Sequence, residues 1–566
     1  MSAWFRAHLA GALLAGGALR LAELGRNGLW LDELFTARAV AHPSWAALLQ
    51  ELAGDVHPPG YFALLRLWSM VAGTGDAALR LPSALAGLVT VGATALAARK
   101  LAGNTAGSIA AWMAAVGPFA VTLDREARGN AAMAMLATLG VVALLSTAPR
   151  RWWAYTAVAV LLPWVHVFGW FVLLGHTAFV VAEVLTGARE RAELRPFGLA
   201  LVAAVAGFAP WLSTLAQQTT TFVSAPWYHP AAADSVASLA SALLSGSPTL
   251  VLVALLGTGL ALARGLDRPT LLLGAHLLAL VLVPHALALV AAPVLRDRNV
   301  IALVPVLLAS TAAGLSLLRP AGTAVVSGLW VATAAILAGR GSFVDGAGES
   351  WREVAAKLAH EAREGDLVLA NHPNLWRHYL PERIEIAEIG AAALPASDPR
   401  RLWLAQAHRV RDDWVDATAR SFLLVDDWRY PGARLALYDA AARPLPLAYD
   451  LPGSLREGDT IHFYWGATVH SLPAAVEGQC ALVVVGWSEA AGGIPAKLSL
   501  GAGPYHADVV LPANRGVVRG PRWPLAGEVV ASIRFANDGN VGTEDRNAHL
   551  ARVGWDCQSS EQPSPE

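Results

Sequence analysis

Two adjacent carboxylates, Asp32 and Glu33, stand just beyond an apolar segment near the N-terminus, and Asp55 and His57 follow in the same polar stretch. Carboxylates are costly to hold next to lipid, so this pair needs a polar cavity or a cationic partner. A carboxylate that faces a cavity can act as a general base towards a hydroxyl group. The alternative is structural, because two acids in the first turn of a helix on the membrane interface would stabilise its N-terminus.

A second charged cluster lies between two long apolar segments and contains Asp124, Arg125, Glu126 and Arg128. Guanidinium groups bind phosphate oxygens through paired hydrogen bonds, so the two arginines indicate a phosphate-binding site. Ion pairs confined to this loop would explain the same residues without any ligand.

Two further candidates stand near the ends of apolar segments. His166 follows Pro163-Trp164, and Arg298 belongs to a charged turn just before another apolar segment. His166 alone is equally consistent with a buried, hydrogen-bonded histidine. Three charged clusters on one side of a membrane would favour one shared site.

Composition indicates that these clusters belong to a membrane protein. The chain has 566 residues, of which 55% are hydrophobic and 15% are charged, and its mean hydropathy is +0.45. Soluble domains carry about 25% charged residues, so a soluble enzyme is excluded. The net charge of −1 excludes a charge-driven nucleic-acid binder, and two cysteines exclude a disulfide framework. The basic residues are almost all arginine, which together with many alanines indicates a bacterial source.

The positioning elements are predicted to be membrane helices. We interpret eleven apolar segments as spans, because a helix crosses a bilayer with roughly 20 residues. Basic residues fall in alternate short loops, and such loops are typically cytoplasmic. The N-terminus is therefore predicted to be cytoplasmic, whereas the clusters and everything after the last span are extracytoplasmic. The predicted spans are 5–25, 82–98, 104–123, 129–147, 152–163, 167–187, 196–216, 247–263, 269–290, 300–318 and 320–339, and the longer outer loops are 26–81, 217–235 and 291–299.

After residue 340 the pattern changes. The segment Trp351–Leu369 predicts an amphipathic helix, a Gly-Asp turn and a buried strand. Residues 445–558 alternate between short apolar strands and Gly, Pro or Asn turns, which is typical of a β-sandwich. Cys480 and Cys557 could pair in an oxidising compartment or stay two independent buried thiols. We predict a transmembrane domain at 1–340, a small α/β domain at 341–444, a β-sandwich at 445–558 and a polar tail at 559–566.

Several of these motifs resemble a known family. The segments LWLDELFTARA, HPPGYFALLRLW and ALRLPSALAGL, in this order, resemble bacterial membrane glycosyltransferases of the C-type fold, in the group related to protein O-mannosyltransferases. Glu126-Ala127-Arg128 and Arg298-Asn299 resemble two later motifs of that group, with Asn130 and Asn299 where the family has tyrosine.

The resemblance implies a polyprenyl-phosphate-linked sugar as donor and an extracytoplasmic glycan, lipid or protein as acceptor, with the enzyme in the bacterial inner membrane. It implies that Asp32, with its neighbour Glu33, is catalytic and takes the proton of the acceptor hydroxyl. Inversion of the anomeric carbon would be the expected outcome. The implied donor-binding residues are His57, Arg125, Glu126, Arg128, His166 and Arg298, among which Arg128 and Arg298 would stabilise the leaving phosphate and Glu126 would position an arginine or a metal.

A second resemblance covers about residues 475–557. The run from Ile533 to Leu550 is similar to calcium-dependent xylan-binding carbohydrate modules. It implies a calcium ion held by Asp538 and Asp545, whose carboxylates are the hard ligands that Ca²⁺ prefers. An Asx-rich hairpin turn without metal is the alternative.

Two other classes of function remain open at this stage. A transporter or flippase for lipid-linked sugars or glycans would suit the Pro-interrupted helices. A membrane protein that only binds glycans, through its outer domain, would leave Asp32 and Glu33 without a catalytic role.

Overall fold

The computed structural model describes residues 2–223, 236–290, 295–343, 348–389, 401–447, 454–457, 460–463, 467–541 and 544–558. The chain divides into two compact units, Met1–Ala347 and Gly348–Glu566. Residues 224–235 and 291–294 of the predicted outer loops, and the predicted tail at 559–566, lie outside the described residues.

The described part of the first unit is helical. Short 3₁₀ turns occur at Arg191–Glu193, Ala209–Trp211 and Asp297–Val300, and a π-helical turn at Leu278–Leu282. The α-helices are α1 (Ala3–Leu21), α2 (Leu31–Val40), α3 (Trp45–Ala53), α4 (Gly60–Ala72), α5 (Asp76–Val116), α6 (Pro118–Asp124), α7 (Asn130–Leu144), α8 (Arg151–Val165), α9 (Gly169–Leu185), α10 (Leu194–Phe208), α11 (Leu212–Val223), α12 (Val236–Leu243), α13 (Pro248–Leu262), α14 (Arg268–Leu277), α15 (Val283–Val290), α16 (Leu303–Leu315) and α17 (Pro320–Phe343).

This unit is built to lie in a membrane. Among the described residues, four helical stretches are long and apolar enough to cross a bilayer: Asp76–Val116, Arg191–Thr220, Arg268–Ala288 and Pro320–Phe343. Five further apolar helices are shorter: α4, α7, α9, α13 and α16. The protein is therefore an integral membrane protein, and eleven as the number of spans stays a prediction.

Helix α5 covers the predicted span 82–98 and the first part of the predicted span 104–123, whose end lies in α6. Its backbone is not helical at Ala102 and Gly103, and Gly103 has a φ of +85°. This left-handed conformation favours glycine, so the chain can turn there at little cost. The predicted break between residues 98 and 104 is thus confirmed. The predicted outer loop at 26–81 contains three short helices, α2, α3 and α4, which the apolar pattern did not resolve.

The second unit begins with α18 (Trp351–Glu361), which matches the amphipathic helix predicted from the sequence. A five-stranded sheet follows, in the order β2-β1-β3-β5-β4, with β1 parallel to β2 and β3 and the remaining pairs antiparallel. Its elements are β1 (Leu367–Ala370), α19 (Pro373–Trp376), β2 (Glu385–Glu388), β3 (Arg401–Ala407), α20 (Asp412–Ser421), β4 (Leu423–Tyr430) and β5 (Ala433–Asp439).

The rest of the described unit is rich in strands, as predicted. It forms a seven-stranded sheet, β13-β10-β16-β8-β7 with β6 and β15 beside β16, and a four-stranded sheet, β12-β11-β14-β9. Leu482 and Leu550 of the larger sheet share an apolar core with Leu500 and Ile533 of the smaller one. These strands are β6 (Arg443–Pro444), β7 (Ser454–Glu457), β8 (Thr460–Phe463), β9 (Thr468–His470), β10 (Ala474–Glu489), β11 (Lys497–Ala502), β12 (Tyr505–Val510), β13 (Gly516–Val529), β14 (Ala531–Phe535), β15 (Gly539–Val541) and β16 (Glu544–Gln558).

The two cysteines occupy paired positions on β10 and β16 and form a disulfide bond. Of the two alternatives left open by the sequence, the structure contains the paired form.

Candidate active site

Glu33 joins three segments of the membrane unit. The extended backbone at Trp30 starts α2, so Asp32 and Glu33 lie in its first turn. Arg80 of α5 donates to both oxygens of Glu33, at 2.8 and 2.5 Å, and the backbone N–H of Ala127 donates to Oε1 at 2.8 Å. The N–H of Trp30 adds a fourth bond at 3.3 Å. Glu33 has no exposed surface, so its hydrogen bonds fix the start of α2 against α5 and the loop before α7.

Asp32 is the accessible carboxylate of the pair. Arg298, in the 3₁₀ turn Asp297–Val300, donates from Nη1 to Oδ2 of Asp32 at 2.6 Å. Arg128 places its Nη2 at 3.9 Å from the same oxygen. The side chain of Asp32 is 23% exposed. Burial raises the pKa of Asp32, but the positive charges of Arg128 and Arg298 outweigh it and hold the pKa below its usual range.

Arg128 connects Asp32 with His57. It donates to the backbone oxygen of Asp32 at 3.1 Å, to Oγ1 of Thr36 at 3.3 Å and to Nε2 of His57 at 2.8 Å. Because Nε2 accepts this bond, the proton of His57 lies on Nδ1, which donates to Oδ2 of Asp55 at 2.6 Å. Burial raises the pKa of Asp55, but the hydrogen bond from His57 and its charge outweigh this effect. The pKa of Asp55 therefore lies below its usual range.

Of the two guanidiniums, that of Arg298 is the more exposed. Its side chain is 39% exposed, whereas that of Arg128 is 8% exposed and held by three acceptors. The guanidinium of Arg298 also lies over the indole ring of Trp30, at 5.5 Å from the centroid. An anion entering this site can therefore attract Arg298 without breaking the contacts of Arg128.

Glu126 has a buried side-chain oxygen, Oε2, without a hydrogen-bond partner among the described residues. Burial and the nearby charge of Glu33 raise its pKa to about 8, against a smaller opposing effect of Arg298 and Arg128. Glu126 is therefore neutral at pH 7, unlike Asp32.

His166 is buried beside His57, with the ring centroids 6.4 Å apart. Its Nδ1 accepts the backbone N–H of Phe168 at 3.1 Å. Burial and the positive field of Arg128 and Arg298 lower the pKa of His166 to about 3, so the ring stays neutral. His166 thus packs against His57 as a neutral, buried side chain.

The structure does not bring Arg125 into this cluster. Its guanidinium donates to the carbonyl oxygens of Leu19, Ala22 and Glu23, at 2.7, 2.9 and 3.3 Å, at the C-terminal end of α1. Such bonds satisfy carbonyls that a helix end leaves without partners. The neighbouring Asp124 accepts a bond from Arg20 at 2.8 Å and is buried.

Sequence reasoning assigned no role to two members of the cluster, Asp55 and Arg80. Asp55 stands two residues before His57, and this spacing was a usable signal for a carboxylate–histidine pair. Arg80 lies 47 positions from Glu33, and only the folded chain brings them together. The resemblance included Arg80 in one of its motifs but implied no role for it.

The described residues contain no group of three or more His, Cys, Asp or Glu side chains that could hold a metal ion. In the outer unit, Arg546 donates to the carbonyls of Ile494, Asn537 and Ala491, so its guanidinium is used by the backbone. Two carboxylates alone are a poor ligand set for Ca²⁺, which takes six to eight oxygens. Calcium at Asp538 and Asp545 stays a prediction.

Comparisons with known proteins agree on the kind of fold. Residues 56–213 match the family described as dolichyl-phosphate-mannose-protein mannosyltransferase. ArnT from Cupriavidus metallidurans, solved in the apo state and bound to undecaprenyl phosphate, is 13% and 14% identical in these two structures. In both, the match covers 77% of this chain and 98% of ArnT, with a TM-score of 0.54.

A more distant similarity links the chain to the oligosaccharyltransferase AglB from Archaeoglobus fulgidus, with 11% identity, coverage of 76% and 74%, and a TM-score of 0.48. No curated protein sequence matches the chain. The resemblance to membrane glycosyltransferases of the C-type fold is confirmed by the family match and by the fold shared with ArnT.

Proposed function

We propose that this protein transfers a sugar from a polyprenyl-phosphate-linked donor to a hydroxyl group of an extracytoplasmic acceptor, with inversion of the anomeric carbon. The observation that carries the proposal is the position of Asp32, an accessible carboxylate between the guanidiniums of Arg128 and Arg298. A base next to two phosphate-binding groups suits the displacement of a phosphate by a hydroxyl. The fold shared with ArnT, which binds undecaprenyl phosphate, supports the same class of donor.

The proposed reaction is a single displacement. Asp32 takes the proton of the acceptor hydroxyl while its oxygen attacks the anomeric carbon. The bond between that carbon and the phosphate oxygen breaks, and its electron pair leaves with the polyprenyl phosphate. Arg128 and Arg298 stabilise the negative charge that develops on this phosphate.

The bond between Arg298 and Asp32 implies that the donor binds before Asp32 can act as the base. In the ligand-free chain it is bonded to Asp32, which makes the carboxylate a weak base. A donor phosphate attracts Arg298 away from Asp32, and the loss of this partner raises the pKa of the carboxyl group. The donor therefore prepares the base for the acceptor.

Glu33, His57 and Asp55 act as positioning residues in this proposal. Glu33 is bonded to Arg80 and to two backbone N–H groups and cannot reach a substrate without losing them. The chain from Asp55 through His57 to Arg128 orients the guanidinium.

The site is proposed to face the outside of a bacterial inner membrane, with the N-terminus in the cytoplasm. The alternation of arginine-rich loops supports this orientation. The disulfide between Cys480 and Cys557 supports an extracytoplasmic second unit, because cytoplasmic thiols are kept reduced. The two antiparallel sheets of that unit are proposed to form a glycan-binding β-sandwich.

Deletion of the gene tests the proposal against its rivals. We expect a polyprenyl-phosphate-linked sugar to accumulate, detected by mass spectrometry of extracted lipids, and to disappear on complementation with the wild type but not with Asp32→Asn. A transporter would release no polyprenyl phosphate from the lipid-linked sugar with either the wild type or Asp32→Asn, because transport breaks no bond of the donor. A protein that only binds glycans would leave the lipid-linked sugars unchanged.

A further inference from the structure

One side chain of the cluster has no role in the displacement described above. Glu126 lies in the loop between α6 and α7, with Oε2 buried and without a hydrogen-bond partner among the described residues. Its neighbour Ala127 is fixed by the bond of its N–H to Glu33, and Arg128 by its three acceptors. The loop therefore holds Glu126 in place, and a buried polar group held without a partner costs free energy unless a ligand satisfies it.

The charges around Glu126 are already balanced without it. Both arginines that interact electrostatically with Glu126 have other partners, since Arg298 is bonded to Asp32 and Arg128 to His57 and Thr36. An ionised Glu126 would add an uncompensated negative charge beside Glu33. Apart from Glu126, the described cluster contains three carboxylates and three guanidiniums, together with one tyrosine and two histidines: Asp32, Glu33, Asp55, Arg80, Arg128, Arg298, Tyr61, His57 and His166.

We infer that Glu126, in its neutral form, donates a hydrogen bond to a phosphate oxygen of the polyprenyl phosphate held by Arg128 and Arg298. A neutral carboxyl group is both a donor and an acceptor, whereas a carboxylate only accepts and would repel the phosphate. The inference rests on the proposed function. It assigns to this loop a phosphate-binding group that loses its proton at high pH and then no longer donates a hydrogen bond.

The expected dependence on pH follows from this requirement. Glu126 loses its proton above a pKa of about 8 in the free protein, and the ligand binds only the neutral form. The affinity should fall by only about twofold from pH 7 to 8, and above pH 8 more steeply, approaching about tenfold for each further pH unit. The phosphate itself does not interfere, because its second pKa is about 6 and its charge is constant in this range.

The experiment measures binding of undecaprenyl phosphate to the detergent-purified full chain between pH 7 and 9.5. We expect the affinity of the wild type to fall above pH 8 and that of Glu126→Gln to stay constant, because an amide donates a hydrogen bond and cannot ionise. Glu23→Gln is the matched control and should keep the wild-type profile, since Glu23 is exposed and paired with Arg26 outside the cluster.

Each outcome has one meaning. A wild-type affinity that is constant up to pH 9.5, or a fall of equal size in Glu126→Gln, would overturn the role of Glu126. The wild-type profile alone decides the matter if Glu126→Gln fails to fold. Absence of binding at every pH would instead contradict the proposed function, since no donor phosphate would then be bound.

Discussion

At the scale of single residues, Asp32 carries the proposed chemistry. Asp32→Asn keeps the shape of the side chain but removes its basicity, and the loss of a general base costs about 10²–10⁴-fold in rate. We expect this reduction in turnover, with the melting temperature little changed, because the side chain is partly exposed. Asp267→Asn is the matched control: Asp267 caps α14, and asparagine caps helices equally well. Turnover of Asp32→Asn at the control rate would remove Asp32 from this role.

Arg298 is expected to affect both donor binding and the base. Arg298→Gln removes a charge-assisted hydrogen bond to phosphate, which is worth about 1.5–3 kcal/mol, so KM for the donor should rise roughly 10- to 100-fold. It also removes a charge that lowers the pKa of Asp32. Activity requires ionised Asp32 and is lost as pH falls, so the acidic limb of kcat/KM against pH, which reports the free enzyme, should move to higher pH.

Arg125→Gln is the comparison for this variant. Arg125 lies in the loop of the cluster, but its guanidinium is bonded to carbonyls at the end of α1. We expect lower thermal stability and an unchanged KM for the donor. A shift in KM as large as that of Arg298→Gln would show that Arg125 reaches the phosphate.

The residue types and the order of the motifs were sufficient to predict which segments supply the site. They could not separate Asp32 from Glu33, because adjacent positions in a first helical turn face different sides and only their partners decide their roles. Glu33 is buried against Arg80, which is distant in the sequence, whereas Asp32 is bonded to Arg298 and stays partly exposed. Likewise the sequence could not show that Arg125 and Arg128 point to different parts of the protein.

At the scale of elements, the close contact between α13 and α16 depends on two glycines, Gly257 and Gly314. A Cβ added at Gly257 would lie 2.6 Å from Thr311, and one added at Gly314 would clash with the carbonyl oxygen of Gly257. A Cβ at Gly259, two residues further along α13, would meet nothing within 4 Å. Small residues therefore let these helices approach, as is typical of helix pairs in membranes.

The two glycines of α13 give a matched pair of variants. Gly257→Ala should destabilise the protein by about 1–3 kcal/mol, the usual cost of overpacking. Gly259→Ala should leave the melting temperature unchanged or slightly higher, because alanine favours helix more than glycine. Thermal unfolding of the detergent-purified chain measures both, and equal melting temperatures would contradict the helix contact.

Element boundaries were predictable where a local signal existed. The basic residues Arg99 and Lys100 between two apolar runs located the break in α5, and the amphipathic pattern located α18. The short helices α2 to α4 carry no signal of membrane length, so the apolar pattern merged them into one loop. The sheet order of the outer unit depends on distant pairing, such as β16 between β10 and β8, which alternation of side chains does not encode.

At the scale of the whole molecule, orientation decides where the reaction takes place. We expect a membrane-impermeant maleimide to label Glu364→Cys on intact cells and to label Ala188→Cys only after permeabilisation. Both positions are exposed, and the two natural cysteines are paired and unreactive. The reverse pattern would place the second unit in the cytoplasm and contradict the proposed orientation.

The central claim is that Asp32 catalyses a chemical transfer. The direct measurement mixes the detergent-purified chain with the lipid-linked sugars and envelope acceptors of a deletion strain, and follows polyprenyl phosphate by mass spectrometry. In detergent no membrane separates two compartments, so a transporter would release nothing. The account predicts release of polyprenyl phosphate by the wild type and by Asp267→Asn, and a rate about 10²–10⁴-fold lower for Asp32→Asn. No release by the wild type, or equal release by Asp32→Asn, would contradict it.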